Sequence, residues 1–122
     1  MTDLEALIDA ELKFFDSAEQ RQQFQSLRIA PRRTTQRWQY SDEEHECFIV
    51  AQSGDVQIVY CATGFGRAFP WSAQRLNETD LGMDGQWHAY LYESFISRMW
   101  RGAIPDGFEL KGPGERTKTE SS

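Results

Sequence analysis

Two cysteines, Cys47 and Cys61, and two histidines, His45 and His88, are the residues of this sequence best suited to nucleophilic, acid–base or metal chemistry. Either cysteine with His88 and a carboxylate would supply the parts of a thiol hydrolase. His45 stands in the acidic run Asp42-Glu43-Glu44-His45-Glu46 and could help hold a cation. No spacing supports either reading: the chain has no HExxH, CxxC or GxSxG motif. Both cysteines border apolar runs, where thiols are buried and inert. The expectation is no catalytic residue, no metal and no cofactor.

Gly64-Phe65-Gly66 follows an apolar run, as phosphate-cradling loops do. The dinucleotide fingerprint needs a third glycine where Phe69 stands and a helix directly after the loop, and Pro70 obstructs that helix. The lysine and hydroxyl of a P-loop are missing as well. The stretch reads as a backbone turn that tucks Phe65 and Phe69 inward.

Charge is more informative. Thirteen basic against nineteen acidic residues give a formal charge of −6 over 122 residues, which argues against general nucleic-acid binding through phosphate neutralisation. The charges are segregated. Residues 1–20 carry six acids and one lysine, residues 21–40 carry Arg21, Arg28, Arg32, Arg33 and Arg37 with no acid, and Asp42 to Glu46 holds four acids. Either the arginine segment is neutralised within the chain, or one of the two signs is a docking surface. Aromatics reach 13 %, more than a minimal core requires, so either the 63–76 loop closes the second face of the sheet or part of that face is an exposed apolar contact patch. The candidate binding residues are Asp42, Glu43, Glu44, Glu46, Trp38, Tyr40, Phe65, Arg67, Phe69 and Trp71.

The elements that position these residues centre on Cys47–Trp71. Phe48-Ile49-Val50 and Ile58-Val59-Tyr60 have the β-branched and aromatic character of strands, and Gly54-Asp55 between them suits a type II′ turn, which needs φ > 0 at its first residue. That two-residue loop sets Ser53 opposite Val56, Phe48 opposite Cys61 and Ile49 opposite Tyr60. Both faces of the hairpin are then apolar, as in a central strand pair covered on each side. The thiols fall on opposite faces, so they are expected to be free, buried and slow to react. A three-residue loop would instead bring Cys47 opposite Cys61, but it prefers glycine in last place.

The other elements follow from periodicity. Leu4, Ile8, Leu12 and Phe15 make a helical stripe, widened by Leu7 and Phe14, behind a capping-box pattern at Thr2 and Glu5. Ser17 with Gln20 repeats that pattern, so either a second helix runs from about Ala18 to Leu27 or one bent helix covers both. Pro31 stops the helical reading. Residues 34–40 alternate as an edge strand, which with 46–53 and 56–62 makes a three-stranded antiparallel sheet. Residues 63–76 read as an ordered loop. Trp87, Leu91, Phe95 and Met99 recur every four residues, predicting a last helix over about 85–101 capped by Asp84.

The expected fold is α+β, with an N-terminal helix or helix pair and a C-terminal helix on the sheet. It forms a single domain over 1–105, followed by a polar tail, 106–122, that is expected to be disordered. The acidic N-terminus is unlike a secretory signal, and no apolar run reaches the ~20 residues that span a bilayer. These features predict a cytoplasmic protein with no membrane and no nucleic-acid partner.

The profile fits a protein-binding module, such as an immunity-type inhibitor or adaptor that docks on a basic protein. The alternatives are a small-ligand or enzymatic site between the sheet and the 63–76 loop, built from Cys61, Arg67, His88 and Tyr90, and a homo-oligomer paired through strand 34–40 or the last helix.

Overall fold

A computed structural model describes residues 2–38, 43–63, 69–82 and 86–100. Two helices open the chain: α1 (Thr2–Glu11), continued by a 3-10 turn at Leu12–Phe14, and α2 (Ala18–Leu27). The break between them is fixed by hydrogen bonds. The Ser17 hydroxyl accepts from the Gln20 N–H at 3.2 Å, while the Gln20 side chain accepts from the Asp16 N–H at 2.9 Å. Donors at the start of α2 are thereby satisfied locally, which favours two helices over one bent one.

Among the described residues the sheet has four antiparallel strands in the order β1 (Arg28–Arg37), β2 (Glu44–Ser53), β3 (Val56–Tyr60) and β4 (Trp71–Arg75). The sequence reading had three strands. The fourth lies inside the stretch read as a loop, paired with β3 from Val56↔Arg75 to Tyr60↔Trp71. β1 also begins six residues earlier than expected, at Arg28, and includes Pro31. An edge strand tolerates proline because its outward N–H has no ladder partner to lose, and the pairing with β2 is irregular between Arg28 and Arg32. The expected continuation to Tyr40 runs into residues outside the described set, as do Asp42, Phe65, Arg67, Asp84 and the whole tail 106–122.

β2 and β3 are the central pair, and Gly54 opens their turn with φ +58°, with Ser53 opposite Val56 as expected. The register then departs from the expectation. It slips between Ile49 and Ala51, so that Ile49 faces Val59 and Phe48 faces Tyr60. Val50 is the extra residue of a β-bulge, which turns two consecutive residues, Val50 and Ala51, to one face. Everything beyond the bulge exchanges faces relative to an unbroken ladder.

The sheet consequently separates two cores. The helix side holds Val50, Ala51, Ile58, Trp71 and Ala73 against Ile8, Phe15, Phe24, Leu91 and Phe95. The other side holds Cys47, Ile49, Val59, Cys61, Leu81 and Trp87. This second face is concave. Gln36 of β1 and Gln74 of β4 exchange two side-chain hydrogen bonds, 2.7 and 3.0 Å, although three strand spacings would set β1 and β4 roughly 14 Å apart in a flat sheet. Residues 79–81 complete the closure: the Arg37 N–H donates to the Thr79 carbonyl and the Leu81 N–H to the Arg37 carbonyl, at 2.9 and 3.0 Å.

The last helix, α3, spans Leu91–Arg98 and is shorter than the expected 85–101. His88 explains the late start. Its N–H and carbonyl both pair with Trp71 on β4, at 2.7 and 3.3 Å, and backbone groups used in a ladder are not free to begin a helix. Trp87 and Leu91, read as successive turns of one stripe, go to opposite sides of the sheet. The start of α3 is capped by two buried carboxylates: Glu93 accepts from the Tyr90 N–H at 3.1 Å, and Glu11, at the end of α1, accepts from the Leu91 N–H at 3.0 Å. Acidic side chains also suit this end, the positive pole of the helix dipole.

Candidate functional site

The acidic run is partly strand: Glu44, His45 and Glu46 belong to β2, and Glu43 immediately precedes it. Residues alternate in direction along a strand, so Glu44 and Glu46 share the outward face with Arg33, Thr35 and Arg37 of the neighbouring strand. The directly opposed pairs are Arg37↔Glu44 and Thr35↔Glu46. Arg33 Nε lies 2.6 Å from Glu46 Oε2, Arg37 Nη2 is 3.8 Å from Glu44 Oε2, and His45 Nε2 is 3.7 Å from Glu43 Oε2. The side chains of Glu43, Glu44 and Glu46 remain 74, 62 and 53 % exposed. The result is a solvated ladder of alternating charge at one end of the rigid β1–β2 pair.

The structure thus brings the arginine segment and the acidic run together. Arg28 pairs elsewhere, with Asp9 of α1 at 2.7 Å. Intramolecular matching accounts for Arg28, Arg33 and Arg37, while Arg32 is exposed at the rim.

The aromatic candidates are placed differently. Trp71 is 1 % exposed and packs on Tyr60, with ring centroids 4.9 Å apart, so it offers no surface. Trp38 is half-buried against the concave core, and Phe69 is half-buried where it touches both cores. Tyr40, Phe65, Arg67 and Asp42 lie outside the described residues.

Comparisons with known protein families, curated proteins and solved structures find no match to this chain. What the chain does must be read from its own groups.

Those with chemical potential lie deep. His88 is 6 % exposed, its Nδ1 2.8 Å from the Ser94 hydroxyl, and burial lowers its pKa to about 4. Cys47 and Cys61 are both fully buried and free. A hydrogen bond to the Cys61 thiol, followed by burial, raises the Cys47 pKa well above the usual thiol range, which keeps it protonated and a poor nucleophile. Tyr92 is raised by burial too. Cys61, His88 and Tyr90 do not converge: Cys61 belongs to the concave core and Tyr90 to the helix-side core. Among the described residues no three His, Cys, Asp or Glu side chains are grouped to hold a metal ion.

A polar cavity of about 530 Å³ opens beside β4, lined in part by Gln74, Arg75, Glu78, Asp80, Gln86 and Arg98. Its carboxylates already serve the turn that forms it. Glu78 accepts from the Thr79 and Asp80 N–H groups and lies 3.6 Å from Arg75, while Asp80 accepts from the Gly82 N–H at 2.7 Å. The sequence reading missed this site because its polar lining residues are scattered over residues 72–98.

Proposed function

We propose that this chain is a non-catalytic protein-binding module, an immunity-type inhibitor or adaptor, that meets a basic partner protein through the acidic row Glu43, Glu44 and Glu46. The observation that carries this reading is the exposure of that row, with Glu44 and Glu46 on β2, paired to β1, and Glu43 immediately before β2. Surface ion pairs contribute only about 0–1 kcal/mol, so a partner's lysine or arginine can replace Arg33 or Arg37 at small cost. Strand pairing fixes the spacing of the carboxylates beforehand, which limits the ordering entropy lost on association. The neutral, buried state of His88 and Cys47 supports a binding role over acid–base catalysis or a thiol hydrolase. Free thiols also suit a reducing compartment such as the cytoplasm. No helix among the described residues is long and apolar enough to cross a membrane.

The test begins with capture of a partner from the native host, followed by kinetics on wild type and on Glu43→Gln/Glu44→Gln/Glu46→Gln at two salt concentrations. The expected result is association slowed by about tenfold or more at low salt, with a flattened salt dependence. Folding stability should change by no more than about 1 kcal/mol. An unchanged on-rate with a marked fall in melting temperature would mean that the row only balances the arginines of β1.

A further inference from the structure

The bulge at Val50 has placed two thiols side by side. Phe48 faces Tyr60, so the next pair along the hairpin is Cys47 and Cys61, and both belong to the concave core together with Ile49 and Val59. The Cys61 N–H donates to the Pro70 carbonyl at 2.8 Å, on the β4 side. Since the N–H and C=O of one strand residue point the same way, Cys61 turns its backbone groups away from β2. The cysteines therefore form a non-hydrogen-bonded pair, the type whose Cα atoms approach to about 4.5 Å and whose side chains are closest. That separation lies within the range of about 4.4–6.8 Å that a disulfide spans. The two thiols are hydrogen-bonded to one another, the Cys47 thiol lies 3.5 Å from the His45 carbonyl, and the Cys61 sulfur is 3.9 Å from the Thr63 hydroxyl, which in turn is 2.9 Å from His45 Nδ1.

We propose that Cys47 and Cys61 are a redox-modification site, a dithiol that closes to a cross-strand disulfide when the protein meets a low-molecular-weight disulfide. Cys61 reacts first. It sits just beyond the end of β3, two residues before exposed Thr63, where local opening that includes loss of the Cys61–Pro70 hydrogen bond admits the reagent. Its sulfur attacks one sulfur of the reagent, the reagent's S–S bond breaks, and one thiol leaves with the Cys61 proton. With Cys61 in the mixed disulfide, the thiol that holds the Cys47 pKa up is gone; the Cys47 sulfur then attacks the Cys61 sulfur, and the second thiol leaves with the Cys47 proton. Two cysteine thiols become one S–S bond, and the reagent disulfide is reduced to two thiols. The bridge ties down the end of β2 that carries Glu44 and Glu46.

The experiment is incubation of the folded full chain with glutathione disulfide, followed by intact mass, peptide mapping and thermal melting. The expected product is a chain two hydrogens lighter, with a linked Cys47–Cys61 peptide and a melting temperature higher by at least about 5 °C, reversed by dithiothreitol. Unreacted thiols, a persistent glutathione adduct, a bridge between two chains, or a bridged chain that melts no higher would each overturn the proposal.

Discussion

Phe95→Ala is expected to destabilise the fold by about 3–5 kcal/mol, the range for truncating a fully buried phenylalanine, and to lower the melting temperature by roughly 10 °C or more. Phe95 is 0 % exposed. Its ring lies 5.5 Å from Phe15, 5.9 Å from Phe24 and 5.9 Å from Trp100, centroid to centroid. Those three rings come from the residue that caps the 3-10 turn, from α2 and from the segment just beyond α3. No one of these segments can close alone over the space that the missing ring leaves. Urea unfolding of the variant against wild type measures the loss. A loss under about 1.5 kcal/mol would mean that α3 does not dock where the helix-side core requires it.

The second large effect is on pH. His88 has a folded-state pKa of about 4 because its burial disfavours the imidazolium, whereas an unfolded histidine titrates near 6.5. Between these values the unfolded chain binds a proton that the folded chain does not, so stability rises with pH across the window. The contribution is fully present above about pH 6.5, is lost as pH falls and levels off below about pH 4. At about 1.4 kcal/mol per pH unit, the loss over the window is roughly 3 kcal/mol. His88→Gln keeps a polar group near Ser94 and removes this titration. Its stability profile between pH 4 and 6.5 should be flatter than that of wild type. Parallel profiles, or an imidazole signal of His88 that titrates near 6.5, would contradict the burial.

Much of the architecture was legible in the sequence because the relevant signals were local. The Ser17–Gln20 cap, the Gly54-Asp55 turn and the Leu4–Ile8–Phe15 stripe depend on residues near one another in the chain, and each appears in the structure. What was misread depended on tertiary context. β4 escaped notice because its concave-side residues, Ser72 and Gln74, are polar yet buried; Ser72 donates to the Gln86 carbonyl, and Gln74 bonds to Gln36 and Gln57. Only those partners make the strand tolerable in a core. The helical period from Trp87 to Met99 is real from Leu91 onward, but the pairing of His88 with Trp71 overrides it before that point.

The charges that suggested docking were visible as segregated runs. Their cross-strand matching became visible only with the β1–β2 register. The thiol placement failed for a single reason, one inserted residue at Val50. No turn rule announces a bulge within a uniformly apolar run, and one slip sends every later side chain to the other face.

The sharing of one face by Cys47 and Cys61 underlies both the packing of the concave core and the proposed bridge, and an NMR measurement tests it directly. Opposed residues of a non-hydrogen-bonded antiparallel pair, with Cα atoms about 4.5 Å apart, give the strongest cross-strand α-proton contacts. The expected spectrum of the reduced protein shows a strong contact between the α-protons of Cys47 and Cys61, and a second between those of Ile49 and Val59. A ladder without the bulge would pair Ile49 with Tyr60 and Phe48 with Cys61. Contacts following that alternation, with none between Cys47 and Cys61, would place the thiols on opposite faces and contradict the account.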